Sequence, residues 1–168
     1  MNIKNQIFFY RKTMRVIFLS LFFSFTNLYS QSDKFFDFYL NNLESLSKVY
    51  NKDFIIGTAV SYKDIKDLKL SKLITKHYSS ITAENEMKPE ALLNDDGSFS
   101  WGKADAIMDF AKTNNLMVRG HTLIWHKQTP EWFFRDSNGN LLDKESLYKR
   151  LYEYMKAVMT RYKDISVW

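Results

Sequence analysis

Leu116-Met117-Val118-Arg119-Gly120-His121-Thr122-Leu123-Ile124-Trp125-His126-Lys127-Gln128-Thr129-Pro130-Glu131-Trp132 begins as an apolar run and turns polar and aromatic towards a proline. Its first part, Leu116–Trp125, reads as a strand, and the polar residues gather at its C-terminal end. On either side lie helical patterns. Upstream, Trp101–Asn114 places Ala104, Ile107, Met108 and Ala111 at i, i+3, i+4 and i+7. Ser100 stands where a cap is needed, and Asn114-Asn115 can end the helix. Downstream, Asp143 precedes a long helical stripe through about Lys163: Leu147, Leu151, Tyr154, Met155, Val158, Met159 and Tyr162. A strand between two helices is the unit from which parallel sheets are built.

The same alternation extends in both directions. Phe54-Ile55-Ile56-Gly57-Thr58-Ala59-Val60 is a short buried-strand pattern, Asp64–Tyr78 is helical, and Ser79–Glu84 is a second strand. Asn94-Asp95-Asp96-Gly97 and Asp136-Ser137-Asn138-Gly139-Asn140 are turn or loop segments. Ser32–Tyr50 has helical spacing, and Ile165-Ser166-Val167-Trp168 starts a fourth strand. The order is helix, then β-α-β-α-β-α-β. A parallel sheet needs both faces covered or closure into a barrel. The pattern therefore fits either a small open α/β sheet or the first half of a (β/α)₈ barrel. A chain stopping inside a strand favours the second, truncated, reading.

Composition narrows the function. The chain has 168 residues, 45% hydrophobic and 26% charged, the balance of a globular protein rather than a disordered or polytopic membrane one. It has no cysteine, which excludes disulfides, thiolate metal sites and cysteine nucleophiles. The net charge of +5 is concentrated at the start. Residues 1–30 hold Lys4, Arg11, Lys12 and Arg15 and no acid, so residues 31–168 carry 20 − 19 = +1. That removes the main support for a nucleic-acid partner. Within 1–30 the basic flank is followed by the apolar run Val16–Phe25 and by Ser30. A membrane span needs about 20 apolar residues, and this run is half that. It reads as a secretory signal peptide cleaved near Ser30–Gln31, giving an extracellular or periplasmic product with no membrane attachment after cleavage.

Two polar segments at predicted strand ends carry the candidate chemistry, because ligands of α/β folds bind there. In Thr82-Ala83-Glu84-Asn85-Glu86-Met87-Lys88-Pro89-Glu90, a carboxylate, an amide and an ammonium at Glu84, Asn85 and Lys88 suit several sugar hydroxyls; a solvated loop with local charge pairing is the plainer alternative. In 119–132, strand alternation places His121 and Trp125 on one face, which suits a sugar ring stacked on an indole, or equally a packed core. His121 and His126 point apart on a strand, so they make a poor metal pair. No phosphate-binding glycine loop or G-x-S-x-G elbow occurs, and no cofactor is implied. Glu84 and Glu86, two residues apart on one segment, cannot flank a glycosidic bond as an acid/base and nucleophile pair.

Together these strings resemble glycoside hydrolase family 10, the endo-1,4-β-xylanases. The resemblance rests on Phe54–Val60, on Thr82-Ala83-Glu84-Asn85-Glu86-Met87-Lys88-Pro89, on Phe99-Ser100-Trp101 with Ala104-Asp105, and on Arg119–Trp132. It covers roughly residues 35–168. It implies a (β/α)₈ barrel that cleaves xylan with retention through two glutamates. It also implies that Glu84, Asn85, Lys88, His121, Trp125 and Gln128 bind the non-reducing-side xylose units of xylan or a xylo-oligosaccharide. In the family the acid/base glutamate follows an asparagine just beyond the Trp-Asp-Val of the fourth strand, and the nucleophile lies on the seventh. This chain ends at Trp168, so the expectation is an N-terminal fragment with the sugar-binding groups and neither catalytic carboxylate. Two rivals are a non-catalytic secreted xylan-binding protein and another cell-wall polysaccharide hydrolase built on a related barrel.

Overall fold

The computed structural model describes residues 32–164 and 166–167. The leader and its cleavage point lie outside the described residues. The chain divides into a unit ending at Leu43 and a unit Glu44–Trp168, each taken by itself. In the first, residues 32–42 form helix α1, with Phe35 and Tyr39 in ring contact at 4.6 Å.

The second unit is an α/β layer. Its elements are α2 (Leu46–Val49), β1 (Gly57–Val60), α3 (Tyr62–Lys66), α4 (Leu68–His77), β2 (Ser80–Ala83), α5 (Pro89–Leu92), α6 (Gly102–Thr113), β3 (Met117–Arg119), a 3₁₀ turn at Glu131–Phe134, α7 (Lys144–Arg161) and β4 (Ser166–Val167). The four strands form one parallel sheet in the order β1-β2-β3-β4. The alternation expected from sequence is therefore present, with each strand beside its predecessor.

Several boundaries differ from the sequence reading, each for a local reason. The single helix expected over Ser32–Tyr50 is two, because Ser45 leaves the helix to cap α2. Its hydroxyl accepts from the Lys48 N–H at 3.4 Å and donates to the Lys76 carbonyl at 2.5 Å. The helix expected over Asp64–Tyr78 is broken at Asp67, which ends α3 and caps α4 by accepting from the N–H groups of Lys69 and Leu70. Ser100 does not cap α6; Trp101 occupies that position and makes no side-chain capping bond. Asp143 does cap α7, accepting from the Ser146 N–H at 2.9 Å.

The largest difference is in β3. The sequence suggests a strand through Trp125, but it ends at Arg119. Ile81 of β2 pairs with Val118, so the last residue of β2, Ala83, falls level with Gly120. The β2–β3 pairing is already over at Ile81–Val118, before β2 itself ends. The segment leaves the sheet, the His121–Thr122 peptide being cis.

One sheet face is packed and one is not. Val60, Ile81, Ala83 and Val118 are buried with Ile65 of α3, Ile74 of α4, Ala104, Ile107, Met108 and Ala111 of α6, and Tyr154 and Val158 of α7. On the alternate positions Gly57, Ala59, Met117 and Arg119 are exposed, and Ser80 and Thr82 are half-buried. Two short antiparallel bridges, Leu93 with Phe99 and Arg135 with Leu141, fold the βα loops back on themselves. Their turns run through Gly97 (φ 79°) and Gly139 (φ 83°), a left-handed conformation that favours glycine.

Candidate functional site: a buried lysine at the strand ends

The candidate site forms just beyond the C-terminal ends of β2 and β3. Ala83 ends β2, and Glu84, Asn85 and Glu86 turn the chain so that Lys88 stands at the position before α5 without a side-chain capping bond, with Pro89 at the first helical position. Lys88 is only 8% exposed. Its ammonium donates to Asn85 Oδ1 at 2.9 Å and to Gln128 Oε1 at 2.6 Å. It also lies 5.0 Å from the centre of the Trp125 ring. Gln128 Nε2 donates to the same Asn85 Oδ1 at 3.1 Å. Asn85 Oδ1 is thus the shared acceptor of a three-residue network drawn from both loops.

The backbone supports this arrangement. Gln128 adopts φ 36°, a conformation that costs an ordinary residue about 1–2 kcal/mol, and its carbonyl accepts from the Glu90 N–H at 2.9 Å. The Thr129 hydroxyl donates to the Trp125 carbonyl at 2.7 Å, and His126 meets the Trp125 ring edge-on. Farther along, Arg150 of α7 fixes the 3₁₀ turn. Its Nη1 donates to the carbonyls of Trp132, Phe133 and Arg135 at 3.1, 2.8 and 3.0 Å.

The ammonium sits among neutral groups. A buried ammonium in a stable core is ordinarily matched by a carboxylate. Among the described residues Lys88 has none; two amide oxygens and an indole face take that place. One of its three donor positions and the Asn85 amide N–H groups remain for outside acceptors. Hydroxyl oxygens fit such donors, and the half-buried Trp125 supplies a flat apolar neighbour.

Of the six residues expected at the site, Asn85, Lys88, Trp125 and Gln128 come together. Glu84 and His121 are exposed and stand outside this network. The strand argument for pairing His121 with Trp125 does not hold, since both lie past the end of β3. Trp125 reaches the site through a loop that folds back over Lys88. Glu86 is not in the network but its carboxylate is fully engaged, accepting from the Tyr62 N–H at 2.7 Å and the Asn85 N–H at 3.2 Å. The sequence held no signal for the role of Arg150, whose partners are backbone carbonyls.

The chain is 46% identical over 125 residues to endo-1,4-beta-xylanase A of Thermotoga maritima, an alignment covering 72% of this chain and 12% of that protein. A crystal structure of an endo-1,4-beta-xylanase from Caldicellulosiruptor owensensis superposes with a TM-score of 0.70 at 41% identity, over 74% of this chain and 37% of the other. A mutant structure in complex with xylotriose does so with a TM-score of 0.69 at 41% identity, over 73% and 37%. The chain thus spans little more than a third of the solved chains it matches. The model of glycosyl hydrolase family 10 matches residues 45–168, and the chain belongs to that family.

Proposed function

We propose that this chain is the N-terminal part of a secreted endo-1,4-β-xylanase, which hydrolyses β-1,4-xylosidic bonds of xylan with retention of configuration. The observation that carries the reading is the buried Lys88 ammonium, held by Asn85, Gln128 and Trp125 with no carboxylate partner among the described residues. In this reading Glu84, Asn85, Lys88, His121, Trp125 and Gln128 hold the xylose units on the non-reducing side of the scissile bond. Residues 31–168 supply the first four strands of an eight-stranded barrel. The exposed sheet positions Gly57, Ala59, Met117 and Arg119 favour this, because a parallel sheet is stable with both faces covered. Residues 1–30 direct export and are removed.

Retaining hydrolysis needs an acid/base and a nucleophile about 5–5.5 Å apart. Glu86 is committed to two backbone N–H groups, and Glu84 is exposed at the surface. Following the family resemblance, which places the acid/base just beyond the fourth strand and the nucleophile on the seventh, the reading assigns both catalytic glutamates to positions beyond Trp168. The test is release of reducing sugar from xylan by a full-length protein, in which this segment is joined to the remaining strands of the barrel, and by residues 31–168 alone. The full-length protein hydrolyses xylan and the shorter chain does not exceed the blank. Turnover by 31–168 that disappears on replacing Glu84 or Glu86 would place the chemistry in this segment and refute the assignment.

A further inference from the structure

We infer that Glu86 is the positioning residue of the sugar site: it fixes Asn85 and, through Asn85, the donors of Lys88 and Gln128. The inference rests on the reading of those three residues as sugar-binding groups.

Glu86 joins two loops that the sequence keeps 24 residues apart. Its Oε1 accepts from the N–H of Tyr62, the first residue of α3, and its Oε2 accepts from the N–H of Asn85. The first N–H groups of a helix have no partner within it. At α3, Ser61 and Asp64 form a capping box, Asp64 Oδ2 accepting from the Ser61 N–H at 2.7 Å and Ser61 Oγ accepting from the Asp64 N–H at 3.3 Å. The Tyr62 N–H is left over, and a carboxylate from the next βα loop takes it. α3 is packed into the core through Ile65, so it is a fixed anchor.

From that anchor the carboxylate reaches the backbone of Asn85. The Asn85 side-chain oxygen is the one acceptor shared by Lys88 and Gln128. A shift of the Asn85 backbone therefore moves both contacts at once. Both Glu86 oxygens are thus engaged by backbone N–H groups. Among the described residues its hydrogen bonds go to the Tyr62 and Asn85 N–H groups, so its influence on the site passes through Asn85.

The test uses the full-length protein with xylotriose, binding measured by calorimetry and folding by thermal melts. Glu86→Gln keeps the size of the side chain but sets an amide N–H against one of the two backbone donors. It weakens xylotriose binding about 5- to 30-fold. Asn85→Ala also weakens binding, and Glu86→Gln added to Asn85→Ala costs nothing further, because the path runs through Asn85. Glu86→Asp, with two acceptor oxygens on a shorter stem, binds more tightly than Glu86→Gln. A purely structural cap predicts otherwise: a lower melting temperature with unchanged affinity, or losses that add in the double variant, and either result overturns the inference. Unchanged affinity in Glu86→Gln beside weakened binding in Lys88→Ala refutes positioning alone. Unchanged affinity in both refutes the sugar site on which it rests.

Discussion

Lys88 and Gln128, 40 positions apart in sequence, meet at 2.6 Å, the ammonium of one donating to the amide oxygen of the other. This contact joins the loop after β2 to the loop after β3, and Asn85 closes it into a triangle. The consequence is a charged donor held in place before any ligand arrives, so that little reorganisation accompanies binding.

Replacing Lys88 with alanine in the full-length protein removes that donor. A charge-assisted bond to a sugar hydroxyl that tightens in the transition state is worth about 1.5–3 kcal/mol, so kcat/KM for xylan falls roughly 10- to 150-fold. Kinetics and melting are measured on one preparation. A lower melting temperature with unchanged kcat/KM would make Lys88 a packing residue.

Arg150→Met tests how the 3₁₀ turn is held. Three carbonyls lose one charged donor, and the Trp132 and Phe133 rings lose the guanidinium 5.8 and 6.0 Å from their centres. The expected cost is about 1.5–3 kcal/mol of stability in denaturant unfolding, with protease cleavage appearing first between 128 and 143. Stability within 0.5 kcal/mol of the parent, roughly the scatter of surface substitutions, would show that the carbonyls find other donors.

Asp105 links α6 to α7 and gives stability a pH dependence. Two bonds from the Arg161 guanidinium, at 2.8 and 2.6 Å, with one from the Tyr162 hydroxyl at 3.0 Å, hold its carboxyl below the ordinary value of 3.8. A carboxyl depressed on folding adds stability above its ordinary range, and that contribution disappears as the pH falls through the folded value. The pair is partly exposed, so Asp105→Asn costs about 0.5–1 kcal/mol at neutral pH. The two proteins converge in acid. A difference independent of pH would assign the effect to packing instead.

The sequence made the βα alternation legible because each strand and helix carries its own period, as in the Ala104–Ile107–Met108–Ala111 stripe. It made strand ends less legible. Residues 120–125 are as apolar as a strand, yet β3 ends at Arg119 while β2 still runs alongside to Ala83, and no local pattern marks where the pairing stops. Helix breaks at Ser45 and Asp67 were written in capping residues, but apolar spacing continues across them. At the site, residue types pointed to Asn85 and Lys88, and the family resemblance added Gln128. Their convergence on one oxygen is a product of loop folding, and the work of Glu86 and Arg150 lies in backbone contacts to which side-chain patterns are blind.

The central claim is that the Lys88 cluster is where xylose units sit, and a crystal structure of the full-length protein with xylotriose addresses it most directly. The account predicts sugar hydroxyls within about 3 Å of Lys88 Nζ and of the Asn85 or Gln128 amide, with a xylose ring against Trp125. Xylotriose seated elsewhere, with Lys88 still bonded only to Asn85 and Gln128, would contradict it.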